Sequence, residues 1–62
     1  MTKTWATRLY RHLEDMLNEG YSEHHCYNSM RDRCNNAGVS IDDFVKHMGY
    51  SNKEQLVASL LI

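Results

Sequence analysis

Gly20-Tyr21-Ser22, Gly38-Val39-Ser40 and Gly49-Tyr50-Ser51 hold all three glycines of this 62-residue chain, each followed by an apolar residue and a serine. Glycine tolerates the left-handed backbone that closes one helix, and serine caps the first free N–H groups of the next. The apolar residue between them packs on the helices it joins. The pattern therefore predicts an all-α chain: a compact bundle of four short helices, about 4–19, 23–37, 41–48 and 51–61, in one domain spanning 1–62. Gly20-Tyr21-Ser22 and Gly49-Tyr50-Ser51 invite a duplication reading, but the apolar positions that follow fall out of step.

Between the corners the apolar residues recur at helical spacing. In the first helix Trp5, Leu9, Leu13, Met16 and Leu17 form the stripe, widened by Ala6 and Tyr10. Trp5, the largest apolar side chain in the sequence, is expected to anchor the core. The second helix, capped by Ser22, has a thinner stripe of Cys26, Met30, Cys34 and Ala37 with Tyr27 alongside. The third is expected to open with Ser40 and Asp43 as an aspartate form of the capping box, with Val39 and Phe44 as the hydrophobic staple. Asp42 and Asp43 lie in its first turn, where the helix dipole favours acids. The fourth is expected to start from Ser51, with Glu54 completing a second capping box, and to run through Leu56, Val57, Leu60 and Leu61.

Composition narrows the function. Proline is absent and hydrophobic residues make up 42%, the profile of a folded globular chain. No stretch approaches the ~20 apolar residues of a membrane span, and no secretory leader is read at the start, so a cytoplasmic protein is expected. Seven Lys and Arg oppose eight Asp and Glu, a formal charge of -1. That is not the basic balance of non-specific nucleic-acid binding, so a DNA reader would have to gather its cations on one face.

The groups that suggest chemistry do not assemble. Cys26 and Cys34 are about 12 Å apart along a continuous helix, too far for one zinc ion or for a disulfide. Adjacent His24 and His25 diverge by about 100° on a helix. The acid pairs Glu14–Asp15 and Asp42–Asp43 diverge likewise, and each glycine stands alone, so no phosphate loop exists. No metal, no cofactor and no enzymatic activity are expected.

The stretch Val39-Ser40-Ile41-Asp42-Asp43-Phe44-Val45-Lys46-His47-Met48-Gly49-Tyr50-Ser51-Asn52-Lys53-Glu54-Gln55-Leu56 resembles a helix-turn-helix, most closely that of the arabinose-operon type of transcription regulators. The resemblance runs over residues 39–61, a little over a third of the chain. In that family a short helix ends at a Gly-Tyr/Phe-Ser corner and the next helix enters the major groove. Phe44, Met48, Leu56 and Leu60 match its core positions. The sequence departs from the family pattern at Val45, where a small alanine is preferred, and at Val57 and Ala58, where groove-facing polar residues are expected. The resemblance implies a DNA-binding transcription regulator in which Asn52, Lys53 and Gln55 face the groove; such a regulator would need Lys46, Arg31 and Arg33 to converge beside that helix and touch phosphates. One such unit binds modestly, so a homodimer on a two-fold site goes with it.

The alternative is a small protein-binding inhibitor or adaptor, of the kind phages and mobile elements encode. The last helix carries more apolar residues than a helix-turn-helix core needs. Val57, Leu61 and Ile62 would then form a partner-binding or dimer strip.

Overall fold

A computed structural model describes residues 1–61 of the chain. It contains four helices and no strand among those residues: α1 (Lys3–Asn18), α2 (Glu23–Ala37), α3 (Ile41–His47) and α4 (Lys53–Leu60). The three corners close in the same way. Tyr21 N–H donates to the Met16 carbonyl, Val39 N–H to Cys34 and Tyr50 N–H to Val45, while the preceding glycine donates to the next carbonyl along, that of Leu17, Asn35 or Lys46. These paired bonds are the Schellman closure, which satisfies carbonyls that the helix end leaves free. At Gly38 and Gly49 φ is +70° and +92°, with open space where a side chain would begin. Backbone conformation, not crowding, therefore selects glycine there.

The helix starts differ from expectation at two of the three corners. Ser22 caps α2 as expected, accepting from His25 N–H at 3.2 Å. Ser40 has the extended backbone of an N-cap but makes no side-chain capping bond, so the Ser40–Asp43 box is not formed. In the fourth helix the cap is Asn52 rather than Ser51. Its Oδ1 accepts from Gln55 N–H at 2.8 Å, and Gln55 Oε1 accepts from Ser51 N–H at 3.1 Å. The cap is thus built one residue later than expected, and Gln55, not Glu54, reaches back, past the cap to the Ser51 N–H, in a variant of the capping box.

The core takes Ala6, Leu9, Leu13 and Met16 from α1, and Cys26, Met30 and Cys34 from α2. Phe44 and Val45 of α3 and Leu56 and Val57 of α4 complete it. Each large side chain fully removed from water here stabilises the fold by about 1.5–3 kcal/mol. Phe44, not Trp5, is the largest fully buried residue. Trp5 borders the core instead, its ring edge-on to Phe44 at 6.0 Å and 82°. Ala37, expected on the α2 stripe, is exposed.

A polar tie fixes α4 against α1. Tyr10 Oη lies 3.2 Å from Ser59 Oγ and 3.3 Å from Tyr50 Oη. Ser59 gives its own proton to the Leu56 carbonyl at 2.7 Å. Its bond to Tyr10 must therefore carry the Tyr10 proton, which leaves Tyr10 to accept from Tyr50. The two phenol rings lie nearly parallel, 6.4 Å apart. The aromatic residue of the last corner thus orients the helix that follows it.

Candidate nucleic-acid interface

The first turn of α4 is polar outward and apolar inward. Ser51, Asn52, Lys53, Glu54 and Gln55 are exposed in succession, whereas Leu56 and Val57 immediately after them are buried. Val45 on α3 is buried as well, so its bulk is accommodated in the core without opening the corner. Val57 is 1% exposed, which removes it from both surfaces considered for it. It neither faces a groove nor contributes to a partner-binding strip; with Leu56 it makes a two-residue wedge into the core. Ala58 is the exposed neighbour. Leu61 is 53% exposed, and Ile62 lies outside the described residues.

Capping shapes what this turn can offer. The carbonyl oxygens of Asn52 and Gln55 are engaged in the helix start, leaving their NH2 groups as donors. Reading adenine by a bidentate amide needs an oxygen and an N–H from the same side chain. With the caps intact, the turn instead presents N–H donors suited to phosphate oxygens or base acceptors. Lys53 leans back over the Tyr27 ring of α2, with Nζ 5.5 Å from its centroid. An exposed cation–π contact of this kind is worth about 0.5–1 kcal/mol, so a phosphate can compete for the ammonium group.

The remaining cations do not all join this face. Lys46 is exposed on α3, whose last turn it shares with His47. Arg31 lies one turn beyond Tyr27 on α2 and therefore on the same flank; its Nε is 3.8 Å from Asp32 Oδ1 with both side chains exposed. Arg33, two residues on, projects about 160° away around the helix. It lines a recess with Trp5, Arg8, Leu9, Asn36 and Ala37 on the α1/α2 seam. The six residues expected to meet nucleic acid thus divide: Asn52, Lys53 and Gln55 share one turn, Lys46 is exposed on the last turn of α3, Arg31 is on the flank of α2 that meets Lys53, and Arg33 is elsewhere. Arg8 is one of the chain's seven cations, but nothing in the sequence pairs it with Arg33, because the two lie on different helices and no local motif links them.

Both cysteines are buried and free of a disulfide. Burial pushes the Cys34 thiol above its ordinary value, and burial followed by the Glu23 carboxylate does the same to Cys26. Neither is therefore an activated thiolate at neutral pH. Among the described residues no three His, Cys, Asp or Glu side chains converge as a metal set, and no helix is long and apolar enough to cross a membrane.

Comparison with protein-family models, with curated proteins and with solved structures gives no match.

Proposed function

We propose that this domain is a small, non-enzymatic DNA-binding regulator in which α3 and α4 act as a helix-turn-helix. The observation that carries this reading is the run of five exposed polar residues, Ser51–Gln55, mounted on the buried Leu56–Val57 wedge. A rigid helix start with outward N–H donors and one lysine suits a turn that enters a groove. Lys46 and Arg31 supply phosphate contacts beside it, and a second copy supplies the other half-site. The protein-binding alternative loses surface with Val57 in the core, retaining only Leu61 of its described residues.

Gel-shift assays on duplexes selected from a random pool, run across a salt series, test the proposal. Three phosphate contacts per subunit give a log–log salt slope of about −2.7, since each contact contributes about −0.9. Replacing Lys53 with alanine should weaken every duplex alike and make the slope shallower by about 0.9 per subunit. Failure to select or retard any duplex at the lowest salt would overturn the reading.

A further inference from the structure

The α1/α2 seam carries a second cationic feature, away from the first turn of α4. Arg8 and Arg33 line one open recess of about 460 Å³ with Trp5, Leu9, Asn36 and Ala37. That volume is in the range of small-molecule sites, roughly 300–1,000 Å³. Among the described residues the one ion pair is Arg31 with Asp32, so neither guanidinium in the recess is neutralised by a carboxylate. Two arginines lining one hollow, without a carboxylate partner among the described residues, favour an anion there.

The rest of the lining defines which anion. A carboxylate carries one charge and is filled by a single guanidinium fork. A phosphate monoester carries close to two charges and three acceptor oxygens, which two forks can share. Beside the arginines stand the indole of Trp5, held by its edge contact with Phe44, and the apolar surface of Leu9 and Ala37. An aromatic wall next to a phosphate site suits a stacked base. The exposed amide of Asn36 offers both a donor and an acceptor to a base edge or a sugar hydroxyl.

We infer that this seam recess binds a nucleoside monophosphate unit, with its phosphate on Arg8 and Arg33 and its base against Trp5. The unit is either a free nucleotide or the phosphorylated end of a single strand. The site shares no residue with the first turn of α4, so it stands or falls separately from duplex recognition.

Trp5 is the only tryptophan in the chain, so its indole N–H is an unambiguous NMR reporter. The test follows that signal and the arginine Nε–H signals during titration with adenosine monophosphate, adenosine, inorganic phosphate, a short single strand with a terminal phosphate, and a glutamate-rich peptide. Saturable shifts are expected with the nucleotide, with the strand or with both, and the stronger of the two identifies the source. Adenosine and inorganic phosphate should bind about tenfold more weakly or worse, because each supplies half of the contacts. Arg8→Gln and Arg33→Gln should each weaken nucleotide binding by about tenfold or more. Arg8→Lys should weaken it too, since it keeps the charge but loses the fork. Both arginines are exposed, so the melting temperatures should stay within a few degrees of the parent, and Lys53→Ala should leave nucleotide binding unchanged. The inference is overturned by the absence of saturable shifts with nucleotide and strand, by equal binding of inorganic phosphate, by preference for the acidic peptide, or by glutamine variants that bind like the parent.

Discussion

Asn52 serves two ends with one side chain. Its carbonyl oxygen starts α4, while its NH2 group faces solvent at the proposed groove contact. Loss of the cap should cost about 1 kcal/mol. In a domain of this size that lowers the melting temperature by roughly 4–8 °C for Asn52→Ala. Ser51→Ala, which removes no capping bond, should stay within about 0.5 kcal/mol of the parent. Thermal melts of the two variants decide which residue starts the helix. Serine after glycine read as the cap because it fits the rule at Ser22; at the last corner an equally good capper stands one place later, and only the tertiary path chooses between them. The buried thiols give a second prediction at this scale. Their folded-state pKa values are raised, so the unfolded chain releases these protons first as pH rises. Their contribution to stability is full below the ordinary thiol value of 9.0 and is lost as pH climbs through the raised folded values. Melting temperature should fall above that point, and Cys34→Ala should melt lower at neutral pH but with a shallower alkaline decline.

At the scale of the element, α4 shows how packing divides a helix whose apolar residues come in adjacent pairs. Leu56–Val57 and Leu60–Leu61 leave the phase of the helix ambiguous, because either member of each pair fits a core stripe. The Tyr10–Tyr50–Ser59 tie resolves it by holding Ser59 toward α1, which rotates Leu56 and Val57 inward and Leu61 outward. That tie joins residues distant in sequence and left no local signal. Val57→Ala should therefore destabilise the domain by about 2 kcal/mol, from the methyl groups lost and the space left behind. Leu61→Ala should change stability by no more than about 0.5 kcal/mol. Chemical denaturation of both variants checks the assignment, and similar large losses in both would contradict it. The stripes of α1 and α2 were legible despite adjacent pairs such as Met16–Leu17, because helices of 16 and 15 residues repeat the period over about four turns, so one face only could be buried.

Across the whole molecule, the three glycine corners set the chain path, and their left-handed backbones were visible in the residue types themselves. The radius of gyration, 10.5 Å, matches the roughly 10.6 Å of a fully compacted chain of this length. With so small a body, charges two residues apart on α2 reach different faces. The cations therefore divide between faces, whereas the balance of -1 leads to the expectation that a DNA reader would gather them on one. The division between Arg31 and Arg33 follows from helical geometry; the pairing of Arg33 with Arg8 depends on how α1 and α2 pack, which no single segment encodes. The proposed duplex recognition at α4 is best examined by an NMR titration of the whole chain with a selected duplex. Amide and side-chain signals of Ser51–Gln55 and Lys46 are expected to shift first and furthest, with Arg8 and Arg33 little changed. Shifts confined to Leu61 and its surroundings, or no shift at low salt, would contradict it.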